Sequence, residues 1–281
     1  MNLAGTNSQN TPSNSAVAVI PARWASTRLP GKALIEIAGK PMVCWVAERA
    51  RAAKNISRVI VATDNPEVLR RVKDYGIEVV MTDASHASGT DRVAEVARNL
   101  PDAEVVVNVQ GDEPMISPET IERAVDAIFS DPNAGIVTTW EPIESLDQLL
   151  NFDTVKVVVG DDGYALYFSR SPMPFPRDAY LKHGDPNVAL DEEPQLWPNY
   201  RKHTGLYVYR RDVLLEFTGW PQTTLERYEG LEQLRALEHG IKIRLIQASG
   251  SSIGVDTATD LERVKALVEE GKFQTVGVVS K

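Results

Sequence analysis

The sequence predicts an α/β fold built on a doubly wound, mostly parallel sheet. Two observations predict it. Strand-like apolar runs alternate with amphipathic helical patterns through the first half of the chain, the order that covers both faces of a parallel sheet with helices. Two of those runs also open at their C-terminal ends into loops rich in Gly, Pro and charge, at the edge where open α/β sheets bind ligands. At 281 residues the chain can bury a large core, as one domain or as one domain carrying an arm.

Residues 1–15 are rich in Asn, Ser, Thr and Gln and have neither an apolar core nor basic residues. They are expected to form a disordered tail rather than a secretory signal, with 16–281 as a single domain. Strands are predicted at Ala16 to Ile20, Arg58 to Thr63, Ile77 to Met81, Glu104 to Val109 and Gly135 to Trp140. Helices are predicted between them at Pro41 to Ala53, Pro66 to Tyr75, Thr90 to Leu100 and Pro118 to Ser130; proline suits a first helical position.

After Asn151 the pattern changes. Val155 to Val159 and Tyr164 to Ser169 flank Gly160-Asp-Asp-Gly163 and read as a hairpin. Ser171 to Asn199 holds six prolines and little periodicity, so it reads as a loop or extended arm, making about 155–210 a hairpin and arm region. His203 to Tyr209 resumes as a strand. Thr224 to His239 reads as a helix, with Leu225, Tyr228, Leu231, Leu234 and Leu237 facing a core, and Ile241 to Ile246 as a strand. Thr257 with Asp260 three residues later resembles a capping box opening a last helix to about Glu270.

Composition excludes several classes. A formal net charge of −9 argues against a general nucleic-acid binder, which carries a basic face. No apolar run approaches the ~20 residues that span a bilayer, so no membrane insertion is expected. The single cysteine, Cys44, excludes a disulfide framework and fits a reducing cytoplasm; beside Trp45 and Val46 it reads as a packing residue.

Against this acidic background the loop after the first strand stands out. It gathers Arg23, Arg28 and Lys32 among small residues, Pro30 and Gly31. Three cations focused on one concave edge suit a triphosphate, because charge-assisted bonds to phosphate oxygens are strong and directional. The loop is not a P-loop: Ser26 stands where its first Gly belongs and Ala33 where its hydroxyl belongs. No Gly-x-Gly occurs anywhere, which removes the dinucleotide fingerprint.

Gln110-Gly-Asp-Glu-Pro114 follows the strand at Glu104 to Val109 and brings Asp112 to the same edge. A carboxylate beside a phosphate site points to Mg²⁺, which bridges one or two carboxylates to substrate phosphates. Asp256, at a loop-helix junction, reads either as a second metal carboxylate or as an N-cap. His86, Ser88 and Gly89 lie in a small-residue loop before a helix; they read either as contacts to a pyrimidine edge or as a cap. His203 starts a strand two residues before Gly205, where a lone His is more often structural than functional.

Ile20-Pro-Ala-Arg-Trp-Ala-Ser-Thr-Arg-Leu-Pro-Gly-Lys32 resembles the signature of the 3-deoxy-D-manno-octulosonate (Kdo) cytidylyltransferases, or CMP-Kdo synthetases. His86-Ala-Ser-Gly-Thr-Asp-Arg92, Asn108-Val-Gln-Gly-Asp-Glu-Pro114, Tyr164-Ala-Leu-Tyr-Phe-Ser-Arg170, Leu231-Glu-Gln-Leu-Arg235 and Gly254-Val-Asp-Thr257 follow in the family's order, so the likeness runs from about residue 16 to about residue 270. The related sialic-acid enzymes typically follow their lysine with Asn, where this chain has Ala33.

The resemblance implies a fold of the nucleotide-diphospho-sugar transferase type, with the hairpin and arm used to form a homodimer. It implies a cytoplasmic enzyme of lipopolysaccharide biosynthesis that joins CTP to Kdo and releases pyrophosphate. It assigns Arg23, Arg28, Lys32 and Asp112 to catalysis and Asp112 with Asp256 to Mg²⁺. Nucleotide contacts would come from Pro21, Ala22, Arg23, Arg28, Lys32, His86, Ser88, Gly89 and Gln110. Gln110, Arg170, His203, Tyr207, Glu232 and Gln233 would contact the sugar acid, Arg170 through its carboxylate. The alternatives are a cytidylyltransferase for 8-amino-Kdo or sialic acid, a glycosyltransferase of the same fold, or a non-catalytic nucleotide binder.

Overall fold

The computed structural model describes residues 15–24, 29–250 and 252–270. The tail expected over 1–15, apart from Ser15, and Arg28 lie outside the described residues. The first half follows the predicted alternation: β1 (Ala16–Ala22), a small β2–β3 ribbon (Glu36–Ile37, Lys40–Pro41), α1 (Met42–Ala52), β4 (Ile56–Thr63), α2 (Pro66–Asp74), β5 (Glu78–Met81), α3 (Gly89–Arg98), β6 (Val105–Asn108), α4 (Pro118–Ser130) and β7 (Ile136–Pro142). The second half runs through α5 (Leu146–Leu150), β8 (Lys156–Val159), β9 (Ala165–Ser169), α6 (Arg177–His183), α7 (Pro186–Glu192), β10 (Arg201–Arg210), α8 (Arg211–Phe217), α9 (Thr224–Glu229), α10 (Gln233–Glu238), β11 (Ile243–Gln247) and α11 (Ala258–Glu269).

The main sheet is ordered β11-β7-β10-β6-β1-β4-β5, with β8 and β9 attached beside β10. All its other neighbouring pairs along that path are parallel, but β10 runs antiparallel to both β6 and β7. Strand β1 explains the layering. Ala16, Ala18, Ile20 and Ala22 pack into the core that holds α1 and α4 residues, while Val17 and Val19 pack into the core that holds Val93 and Ala97 of α3. A strand buried on both faces needs an unbroken apolar run, and β1 has one.

Strand order reverses around β1, with β4 and β5 on one side and β6 on the other. The loops leaving β1 and β6 therefore diverge into a crevice at one edge, the usual ligand position in such sheets. A third apolar cluster closes the back of that crevice. Val255, Leu261 and Val264 pack with Ile37, Met42 and Trp45, docking α11 against α1 and the ribbon. Thr257 caps α11 and pairs with Asp260 as the sequence predicts.

Three expectations need correction. Residues 171–199 are not an extended arm: they form α6, α7 and a 3-10 turn at Pro194–Asn199. Asp185 caps α7 by accepting from Asn187 N–H at 2.7 Å, and Pro186 stands at the first helical position, where its missing N–H costs nothing. Leu190 of α7 then packs with Ile143, Leu149 and Tyr200. The predicted helix at Thr224 to His239 is two, because Gly230 takes a left-handed turn at φ 63° and ends α9. Leu225 and Tyr228 of α9 were expected to face a core but are exposed; α5 and α8 are too short for their periodicity to show. Cys44 is buried in α1, and burial pushes its thiol up to about 12, which suits packing.

Candidate active site

Gly31 turns the chain in the left-handed region at φ 67°, and Lys32 opens a short 3-10 turn. Its ammonium lies 2.6 Å from Asp112 Oδ2 and 2.8 Å from Asp256 Oδ1. Burial works to lower the Lys32 pKa, but Asp112 and then Asp256 outweigh it and hold it above its ordinary value. Two carboxylates from distant parts of the chain thus converge on one cation. Packing of the backbone brings them there. Gly111 sits so close to β1 that a Cβ would stand 2.7 Å from Pro21 O, and Val255 N–H donates to Asp112 O at 2.9 Å. Thr257 takes the capping role at α11, so Asp256 is not the cap.

The donor set fits a magnesium ion. A cation, here the Lys32 ammonium, already occupies the point on which the two carboxylates converge, and Mg²⁺ asks the protein for only one or two carboxylates beside substrate phosphates. Among the described residues no group of three or more His, Cys, Asp and Glu side chains could hold an ion alone.

On the other flank of β1, Pro21 and Ala22 end the strand in the core, and Pro21 packs on Gly89 with only 3.4 Å for a Cβ there. Arg23 donates to Ala87 O at 3.1 Å, tying this loop to the one before α3. Ser88 caps α3: its Oγ accepts from Asp91 N–H at 3.1 Å and its own N–H donates to Asp91 Oδ2 at 3.0 Å. His86 is held by Glu95. The cap reading of this loop is therefore observed for Ser88, and the loop meets Pro21 at Gly89 and Arg23 at Ala87.

The remaining predicted residues gather along β10 and beside α9–α10. His203 Nε2 bonds Thr138 Oγ1 at 2.8 Å, and its ring packs edge-on to Phe168 and beside Tyr207. Burial pushes its pKa down to about 3, so the imidazole is neutral at pH 7. Burial, then Tyr209 and Glu232, raise the Tyr207 hydroxyl well above its ordinary value. Arg170 donates to Glu229 O at 2.7 Å and Phe152 O at 3.0 Å, which fixes its guanidinium between the end of α9 and the loop after α5. Glu232 accepts from Thr90 Oγ1 at 2.6 Å, and Gln233 is buried beside it.

Two bridges join this group to the nucleotide side. Thr90 links α3 to Glu232, and Gln110 packs so tightly on Gly205 that a Cβ there would stand 3.0 Å from Gln110 Cγ. Sequence reasoning missed four participants. Asp64 accepts Trp24 N–H at 3.2 Å and pairs with the buried Arg92 at 2.8 Å, anchoring Trp24 beside Arg23. Thr90 and Glu113 were also missed, although both stand inside quoted motifs; Arg92 does too. The Glu113 carboxyl is raised to about 7, by burial first, then by Asp112 and Glu141, against the opposing bonds from Ser252 and Gly205.

Comparison with known proteins identifies the family of this chain. The family model described as cytidylyltransferase matches residues 17–243. A 3-deoxy-manno-octulosonate cytidylyltransferase of Trichlorobacter lovleyi is 47% identical over 91% of this chain and 99% of its own. The same-named protein of Geobacter sulfurreducens is 50% identical over 88% of this chain and 96% of its own. A solved structure of CMP:2-keto-3-deoxy-manno-octonic acid synthetase complexed with CTP superposes with a TM-score of 0.81, at 42% identity, covering 91% of this chain and 99% of that one. A glucose-1-phosphate thymidylyltransferase from Bacillus anthracis, at 14% identity and a TM-score of 0.63, shares the fold alone. The chain belongs to the 3-deoxy-D-manno-octulosonate cytidylyltransferase family.

Proposed function

We propose that this protein activates Kdo with CTP, giving CMP-Kdo and pyrophosphate. The observation that carries the reading is the convergence of Asp112 and Asp256 on one cation beside the loop of Arg23 and Lys32. The name shared by its relatives and the CTP in the solved neighbour support the sugar and the nucleotide.

In the reaction the 2-hydroxyl of Kdo attacks the α-phosphorus of CTP and pyrophosphate leaves. Mg²⁺, held by Asp112 and Asp256, would supply charge neutralisation at the phosphates and lower the pKa of the attacking hydroxyl. Arg23 and Lys32 offer positive charge to the phosphates as charge moves to the leaving group, Lys32 once the metal has taken its place between the carboxylates, and the family signature adds Arg28 to them. The loop from His86 to Gly89 with Pro21 and Ala22 supports the cytosine, and the Ser88 cap keeps that loop rigid. Arg170 offers its guanidinium to the sugar carboxylate. Glu232, Gln233, Gln110, His203 and Tyr207 line the space for its hydroxyls, with His203 neutral and so able to accept or donate a hydrogen bond without bringing charge.

We further propose a homodimer formed through the β8–β9 hairpin, and a cytoplasmic location. No described helix is long and apolar enough to cross a membrane. The test is pyrophosphate release from CTP with Kdo, 8-amino-Kdo or sialic acid as the acceptor. Release is expected only with Mg²⁺ and with Kdo or a near analogue. Use of sialic acid in preference to Kdo overturns the sugar assignment, and equal rates with UTP or ATP overturn the cytosine assignment.

A further inference from the structure

Glu113 follows Asp112 in the loop after β6, yet its side chain does not face Lys32. Its Oε2 accepts from Ser252 Oγ at 3.1 Å, and its carboxylate also accepts the Gly205 N–H. A Cβ at Gly205 would stand 3.0 Å from Glu113 Oε1 and equally near Gln110, so only glycine lets the strand come this close. Three segments meet at this one carboxylate: the loop of Asp112, the bulged part of β10 between His203 and Tyr207, and the segment leading to Asp256.

That last segment has other ties beside this one, among them the burial of Val255 in the third apolar cluster. Ser252 N–H donates to Glu141 Oε1 at 3.1 Å, Glu141 pairs with Lys202 at 2.9 Å, and Val255 N–H reaches Asp112 O. Three residues separate Ser252 from Asp256, too few to absorb a large shift without moving the carboxylate. Ser252, held by Glu113 on one side and Glu141 on the other, therefore helps to fix where Asp256 stands, together with the buried Val255.

We infer that Glu113 is a positioning residue for the metal site, which holds the Asp256 segment and β10 in register with Asp112. The inference rests on the reading of Asp112 and Asp256 as Mg²⁺ ligands. The role needs two hydrogen-bonding atoms in a fork and does not need charge. Glutamine supplies them: its Oε1 accepts from Gly205 and its Nε2 donates to the Ser252 hydroxyl, which can serve as acceptor. Alanine supplies neither, and it orphans the recessed Gly205 N–H.

The experiment measures Mn²⁺ binding by electron paramagnetic resonance in the presence of CTP, with CTP binding measured separately without metal. Glu113→Ala is expected to weaken Mn²⁺ binding by about tenfold, the scale of two lost ordinary hydrogen bonds, with metal-free CTP binding unchanged. Ser252→Ala should show a smaller loss, and the double variant should equal Glu113→Ala alone, as partners in one bond do. Glu113→Gln should bind Mn²⁺ within about twofold of the parent, and because it keeps both bonds it also tests the idea where the alanine variant does not fold. Glutamine as damaging as alanine overturns the inference, because charge rather than the fork would then matter. So does unaltered Mn²⁺ binding in Glu113→Ala. If the parent enzyme with CTP binds Mn²⁺ no better than Asp112→Asn does, the metal reading itself fails and carries this inference down with it.

Discussion

Two ion-pair clusters in this molecule look alike on paper and differ in purpose. Glu226 and Arg235 lie nine residues apart on α9 and α10 and form a bidentate pair at 2.6 and 2.8 Å, with side chains only 3% and 8% exposed. Arg235 also donates to Phe217 O and Trp220 O and lies over the Phe217 ring, so the charge is fully enclosed. Lys32, Asp112 and Asp256 come from three distant loops, and the two carboxylates are 34% and 47% exposed. An enclosed pair with every atom engaged is architecture; nothing can enter it. An open triad at the strand-end edge keeps its carboxylates reachable, so that an incoming cation can take the place of the ammonium.

The largest expected effect separates the two clusters by activity. Asp112→Asn and Asp256→Asn should each lower kcat/KM roughly a thousandfold, about 4 kcal/mol of transition-state stabilisation, with little change in melting temperature. Their double variant should be little worse than either single one, because ligands of one ion act as a unit. Steady-state kinetics at saturating Mg²⁺ checks this. Additive losses, or an unimpaired Asp256→Asn, would break the triad into unrelated parts.

Glu226→Gln should show the opposite pattern. Removing one charge from an enclosed pair leaves the other uncompensated and costs about 3 kcal/mol or more of stability. Urea unfolding should register the loss, while turnover per folded molecule stays near the parent value. A large kinetic defect in a fully folded Glu226→Gln protein would place α9 in the chemistry and erase the contrast.

The enclosed pair and the open triad also differ in how far the sequence reveals them. Strands such as Ala16–Ala22 are legible because burial on both faces demands an unbroken apolar run. The Thr257 capping box is legible because it is local, three residues from Asp260. By contrast, Lys32 meets Asp112 across 80 residues and Asp256 across 224, and no periodicity carries that information. Basic loop and Gly-Asp motif indicate the chemistry, yet only the reversal of strand order at β1 joins them. Short helices such as α6 and α7 escaped because six prolines dominate the composition there, and a helix of seven residues has barely two turns in which to show a stripe. Glu113 escaped for a different reason. Its partners Ser252 and Gly205 are ordinary small residues in loop and strand, and nothing marks them as recipients of a carboxylate.

The smallest effect sharpens the contrast most. Lys32→Ala should lower kcat about a hundredfold with little change in CTP KM, if its charge acts mainly in the transition state. Its cost in stability should be far less, about 1 kcal/mol or below, because partly exposed pairs gain little over water. Removing the ammonium leaves two carboxylates facing one point with no cation between them. In the parent protein Mg²⁺ must compete with Lys32 for those oxygens; in the variant it meets no competitor. Added Mg²⁺ without nucleotide should therefore raise the melting temperature of Lys32→Ala more than that of the parent, as binding to the native state alone requires. Differential scanning fluorimetry across a Mg²⁺ series, with Ca²⁺ as a control for size, reads the difference directly. Equal shifts in both proteins would mean that the ammonium and the ion occupy different places, and that Lys32 is as fixed a part of the architecture as Arg235.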